Sequence, residues 1–236
     1  MSNILFLMMA GNGTRMKSDI PKQYIEINGV RIYQKILNLY ANSGLVEYVV
    51  LINNKKFSQM VLNDLQHNLS EKIFLIDGSD SRNDSIKCGI NFLDKIKIAN
   101  DSSLIFIHDA THPYLDIEAS KKLISNMGCK YEAGTIVTHI WDTVYECNME
   151  DKIRGTLNRT QIGVGASPEV FKWKLLKHIF NLNPNISKYT SVGNMMESYN
   201  IPMTVVWSEL LNLKLTHKSD LDVYLEAYKY FDNTHE

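Results

Sequence analysis

Asn3-Ile-Leu-Phe-Leu-Met-Met9, followed at once by Ala10-Gly-Asn-Gly-Thr-Arg-Met16, decides the fold. A short, unbroken apolar run ended by glycines reads as a strand buried on both faces, which is the habit of parallel sheets. The same pairing of apolar run and polar punctuation recurs downstream. Tyr48-Val-Val-Leu-Ile52, Ile73-Phe-Leu-Ile76 and Leu104-Ile-Phe-Ile107 are three further runs. Between them, Ile32, Ile36, Leu39 and Tyr40 recur at helical spacing, and helices are expected over residues 57–69, 83–92 and 117–127. Strand and helix thus alternate four times. This predicts an α/β fold with a Rossmann-like, doubly wound, mostly parallel sheet and right-handed crossovers. Ligands of such sheets bind at the carboxyl ends of strands, so residues 10–22, 78–85 and 108–113 become the loops to watch.

The second half is richer in β-branched and aromatic residues. Residues 135–139 and 142–148 read as strands and 152–157 as a returning arm, so a β-arm is expected at about 138–165 within one domain spanning 1–236. Residues 168–179 read as a helix, 203–207 and 213–216 as late strands, and Ser219 as the cap of a last helix. With 44% hydrophobic and 22% charged residues, the 236-residue chain can build a core, and a net charge of −1 gives no reason to expect nucleic acid or a membrane as partner. Three cysteines without a Cys-x-x-Cys pair speak for a reducing compartment, and residues 4–9 are too short to span a bilayer; a cytoplasmic protein is expected.

The glycine turn after the first strand can aim backbone N–H groups at phosphate, with Arg15 and Lys22 adding charge. It is not a Walker A loop, since no Gly-Lys-Ser/Thr follows, and Asn53-Asn54 stand where a dinucleotide fold would carry an acidic ribose partner. His108 and His112 mimic zinc-ligand spacing, but a strand precedes them and Pro113 ends the stretch, so no zinc helix is expected. Met8, Met9, Met195 and Met196 read as core packing.

Five stretches together resemble the cytidylyltransferases that activate methylerythritol phosphate or ribitol phosphate: residues 10–22; Gly78-Ser-Asp-Ser-Arg-Asn-Asp-Ser85; His108-Asp-Ala-Thr-His-Pro113; Asp142-Thr143; and Leu211-Asn-Leu-Lys-Leu-Thr216. The resemblance implies a CTP-dependent nucleotidyltransferase using Mg²⁺, with Arg15, Lys22 and Lys214 as catalytic cations. Met9, Ala10, Gly11, Asn12, Gly13, Thr14, Gly78, Ser79, Asp80, Arg82 and Ser85 would bind CTP. Asp109, His112, Thr190, Thr143 and Arg159 would face the acceptor, Asp109 also the metal. Thr143 and Arg159 would lie on an arm reaching the partner subunit of a homodimer. The chain departs from the family pattern at His112 (for Arg), at Ser167-Pro-Glu169 (for Thr-Pro-Gln) and at Thr190-Ser191-Val192 (for Thr-Asp-Asp/Glu). Because the departures gather on the acceptor side, the expected acceptor is a small polyol phosphate, such as ribitol 5-phosphate or glycerol phosphate, used in capsule or teichoic-acid synthesis. Methylerythritol phosphate, or a non-catalytic nucleotide-binding relative, is the alternative.

Overall fold

The computed structural model describes residues 2–11, 20–65, 71–128, 130–183 and 185–232. The first apolar run forms β1 (Asn3–Met9), whose side chains are buried on both faces: Leu5, Leu7 and Met9 on one, Ile4, Phe6 and Met8 on the other. β1 lies parallel between β4 (Tyr48–Asn53) and β6 (Leu104–Asp109), and β5 (Ile73–Asp77) extends the sheet beyond β4. A two-stranded ribbon, β2 (Glu26–Ile27) with β3 (Val30–Arg31), leads into α1 (Ile32–Ser43).

On the other side of β6 run β10 (Gly163–Lys172), β7 (Ala133–His139) and β11 (Thr204–Ser208), giving the order β11-β7-β10-β6-β1-β4-β5. β10 pairs antiparallel with both neighbours, and every other pairing in the sheet is parallel. The expected mostly parallel, mixed sheet is therefore the observed one.

Helices cover both faces. α1, α2 (Ser58–Leu65), α4 (Ile117–Asn126) and α7 (Lys218–Asp232) bury Ile36, Val61, Leu123 and Tyr224 against one; α3 (Arg82–Ile96), α5 (Trp173–Leu182) and α6 (Val192–Ser198) bury Ile90, Leu176 and Met195 against the other. Met8, Met9, Met195 and Met196 are all core residues, as their composition suggested.

β8 (Val144–Cys147) and β9 (Ile153–Leu157) form a separate hairpin between β7 and β10. Tyr145, Met149 and Ile153 on it are exposed, as is Trp141 at its base. No helix is long and apolar enough to cross a membrane among the described residues.

Three local expectations are corrected. Residues 168–172 are strand, not helix, because β10 gains two ladders, to β6 and β7, and α5 starts only at Trp173. Residues 213–216 are not a strand: Leu215 N donates to Thr111 O, and the Leu215 and Thr216 carbonyls accept from the Lys22 ammonium, so no neighbouring strand takes them. The last helix starts at Lys218, and Asp220, not Ser219, ties its entry by accepting from the Thr216 and His217 amides, 2.6 Å each.

Candidate active site

The parallel register brings the carboxyl ends of β1, β4, β5 and β6 level: Met9 pairs with Asn53, Asn53 with Asp77, and Met8 with Asp109. The loops leaving these strands enclose a cleft of about 270 Å³, lined by Ala10, Gly11, Gln23, Ser79, Asp80, Arg82, Ser85, Asp109, Thr111 and Lys214 among others.

The 78–85 wall is built by close approach. Gly78 N donates to Asn53 O at 2.7 Å, and a Cβ on Gly78 would lie 2.4 Å from Ala10 Cβ and 2.9 Å from Ser85 Oγ. No side chain fits there. Ser81 caps α3 by accepting from Asp84 N. Ser85 is not a capping residue. Its buried hydroxyl accepts from Ser79 N (2.9 Å) and donates to Ser79 O (3.1 Å), holding the loop that carries Asp80 into the cleft.

Four charges run along the cleft. Arg82 Nε donates to Asp109 Oδ1 at 2.8 Å and Nη2 to Glu169 Oε2 at 3.0 Å, while Lys214 Nζ donates to Asp109 Oδ2 at 3.3 Å. Burial alone would push the Asp109 carboxyl up; Arg82 and then Lys214 outweigh it and hold Asp109 far below the usual carboxylate range. Burial would likewise lower the Arg82 pKa, but Asp109 and Glu169 more than offset it and keep the guanidinium charged. Arg82 Nη1 is buried with no hydrogen-bond partner among the described residues.

The 108–113 loop is held from within. The buried His108 ring bridges the Tyr40 hydroxyl at Nδ1 (3.0 Å) and the His112 carbonyl at Nε2 (2.8 Å). Nε2 must carry the proton to meet a carbonyl, and Nδ1 then accepts from the tyrosine. Burial lowers the pKa of both His108 and His112 to about 4, so both rings are neutral near pH 7. The arginine-to-histidine departure at 112 therefore removes a charge as well as a fork.

Lys22 sits apart from the other cations. It is buried, and its ammonium donates to the carbonyls of Leu215 and Thr216, directly after Lys214. Met9 is buried, with its carbonyl taken by Gln23 Nε2 (2.7 Å) and Tyr24 Oη (3.0 Å). Arg15, Asn12, Gly13 and Thr14 fall outside the described residues. Thr190, Thr143 and Arg159 are exposed and do not line the cleft. Arg159 instead donates to the Trp141 carbonyl at the base of the hairpin. His112 lines a smaller adjoining pocket with Tyr114, Ser167 and Asn212.

Sequence reasoning missed Gln23, Thr111 and Glu169. Gln23 follows Lys22 directly and its amide ties Met9 and Gly11 carbonyls together, 2.7 and 2.8 Å, at the end of β1. Nothing in its spacing announces that role. Glu169 was visible only as a departure from a motif.

A doubly wound sheet with Arg82 and Lys214 at a cleft beyond its strand ends suits the binding of an anionic ligand. The comparisons narrow this. The family model of 2-C-methyl-D-erythritol 4-phosphate cytidylyltransferase (IspD) matches residues 4–228, and the chain belongs to that family of CTP-dependent cytidylyltransferases. Relatives of that name include one from Leptospira interrogans, 26% identical over 93% of this chain and 89% of the relative, and one from Caldicellulosiruptor bescii, 27% identical over 94% and 95%. In fold the chain is similar to the 4-diphosphocytidyl-2C-methyl-D-erythritol synthase of Anaerococcus prevotii (TM-score 0.79, 22% identity, 97% of this chain and 96% of that one) and to the Francisella tularensis cytidylyltransferase (TM-score 0.75, 24%, 94% and 98%).

These findings overturn the expected ribitol or glycerol phosphate acceptor and its link to surface polymers. Motif drift on the acceptor side does not by itself mark a change of substrate. The relatives that carry this name are themselves only 26–27% identical to the chain. Near residues 191–192, Glu169 Oε1 accepts from Gly193 N at 3.1 Å, at the start of α6.

Proposed function

We propose that the protein transfers the cytidylyl group of CTP to 2-C-methyl-D-erythritol 4-phosphate, releasing pyrophosphate. The observation that carries this reading is the family match over residues 4–228; the cleft lined by Ser79, Asp80, Arg82, Ser85, Asp109 and Lys214 supports it. An acceptor phosphate oxygen attacks the α-phosphorus of CTP; a new P–O bond forms as the bond to the bridging oxygen breaks and the electron pair leaves with pyrophosphate. The acceptor is already an anion, so no general base is needed. The protein's task is in-line positioning and neutralisation of charge. Lys214 and Arg82 suit that task from opposite sides of Asp109, and Lys22 acts by holding the backbone that presents Lys214.

The side chains do not fit a resident metal: both Asp109 oxygens already accept from cations, and among the described residues no group of three His, Cys, Asp or Glu could hold one. Magnesium is therefore taken as part of the substrate, carried on the triphosphate oxygens. The apolar exposure of the β8–β9 hairpin, with Met149 fully exposed and Trp141 73% exposed, supports a homodimer joined through this arm. The lack of any paired cysteine motif supports a cytoplasmic setting.

The test is pyrophosphate release with magnesium, CTP and 2-C-methyl-D-erythritol 4-phosphate, with product mass as the second readout. CTP should be strongly preferred to UTP and ATP. No release with this acceptor, or better turnover with another nucleotide, refutes the proposal.

A further inference from the structure

Glu169 belongs to none of the nucleotide motifs, yet it is a doubly anchored carboxylate beside the cleft. It stands on β10 opposite Ile107, where the antiparallel strand passes the end of β6. Its side chain is only 13% exposed, and both oxygens accept from donors on other elements: Oε2 from Arg82 Nη2 on α3, and Oε1 from Gly193 N on α6. Arg82 in turn lines the cleft and grips Asp109. A glutamine cannot replace this carboxylate. It has one acceptor and one donor end, so whichever way it turned, its NH₂ would face an N–H. The one-charge change from Glu to Gln would therefore release Arg82 or the start of α6.

We propose that Glu169 is a positioning residue for nucleotide binding, fixing the Arg82 guanidinium at the cleft wall by anchoring it to β10 and α6. This rests on the cleft being the CTP site and is independent of the acceptor. The guanidinium is forked, with Nε on one carboxylate and Nη2 on another, so it has a defined plane only while both partners are present. Without Glu169, Arg82 can rotate about its single remaining bond to Asp109.

The sign of one measurement separates positioning from simple charge. Glu169→Gln removes a negative charge near a polyanion binding site, so through-space electrostatics alone would tighten CTP binding. Positioning demands the opposite. CTP binding is measured by calorimetry with magnesium and without acceptor, so the outcome does not depend on which acceptor is used. We expect Glu169→Gln and Glu169→Ala each to weaken CTP binding about tenfold, the usual scale for loss of a charge-assisted hydrogen bond. Glu132→Gln, which breaks an exposed ion pair with Lys172 on the same strand, should leave it unchanged. In an Arg82→Lys background, which removes the fork while keeping the charge, adding Glu169→Gln should cost nothing more. CTP binding as tight as wild type, or tighter, in Glu169→Gln overturns the proposal, as does a full additive loss in the double variant. If CTP binding follows the expected pattern while pyrophosphate release with the methylerythritol acceptor is absent, the acceptor assignment falls and the role of Glu169 stands.

Discussion

Gly78→Ala tests whether the cleft wall depends on backbone contact. The added methyl would sit 2.4 Å from Ala10 Cβ, 2.9 Å from Ser85 Oγ and 3.3 Å from Asn53 O. Carbon atoms in contact prefer about 3.5–4.0 Å, so the loop must move by about 1 Å or more. Ala10 cannot yield by rotating, because its Cβ moves only with the backbone that leaves β1. Movement of the 78–81 loop away from β1 stretches both Ser79–Ser85 hydrogen bonds, now 2.9 and 3.1 Å, beyond bonding distance. Two bonds at about 0.5–1.5 kcal/mol each give a loss of about 1–3 kcal/mol, the range also typical of overpacking. For a chain of this size that lowers Tm by about 2–12 °C. Function should suffer more, because a 1 Å displacement of a positioning wall costs about 100-fold in turnover. Urea unfolding and CTP titration on the same preparation read the two effects separately. CTP affinity within twofold of wild type would refute the claim that this wall is set by close approach.

Four further outcomes follow from the same geometry. Lys214→Ala should leave stability nearly unchanged, since the residue is exposed, but cut kcat about 100- to 1,000-fold, as loss of a charge-stabilising donor does; pyrophosphate release reads it, and a loss below threefold would remove Lys214 from the mechanism. Lys22→Ala should lower both turnover and the urea midpoint, because its buried ammonium serves two carbonyls; unchanged stability would contradict that anchoring role. His108 and His112 are held neutral to about pH 4, whereas an unfolded chain protonates near 6.5. The unfolded state then binds more protons in that window, so stability is full above about pH 6.5 and falls as pH drops toward 4. Urea midpoints across this range should show that slope, and His108→Gln should flatten it; an unaltered slope would clear His108. Finally, Tyr145→Glu with Ile153→Lys on the exposed hairpin should turn a dimer into a monomer by light scattering, and an unchanged mass would dissociate the hairpin from assembly.

The buried strands were legible because a parallel strand covered on both faces needs nothing but a run of apolar residues. Ile4 to Met9 and Ile105 to Ile107 carry that message without help from distant partners. Residues 168–172 could not be read that way. Pro168 followed by Glu169 looks like the opening of a helix, and only pairing with β6 and β7, more than twenty residues away, makes it a strand. Leu213-Lys-Leu-Thr216 alternates like a strand, yet its carbonyls go to a lysine near the other end of the chain. The candidate site followed the same division. Gly78, Ser85, Asp109 and Lys214 sit in local motifs, and they stand at the cleft or in its wall. Gln23 and Glu169 act through partners 12 to 87 residues away; Gln23 left no local trace, and Glu169 showed only as a departure from a motif. The acceptor was misjudged for a different reason: a few departures from a motif do not tell an altered substrate from ordinary divergence, and only the match over residues 4–228 does.

The Lys22 anchor carries a consequence for how the protein is made. The loop that carries Lys22 is synthesised early, but the carbonyls that hold its ammonium lie 193 and 194 positions later. At about 5–20 residues per second, a ribosome needs about 10 to 40 seconds to supply them. During that interval β1, β4, β5 and β6 can already pair, while Lys22 must remain hydrated or find temporary partners. The nascent chain thus carries the four parallel strands of one half of the sheet with an unfinished cleft, which is completed only when the segment before α7 closes over the first loop.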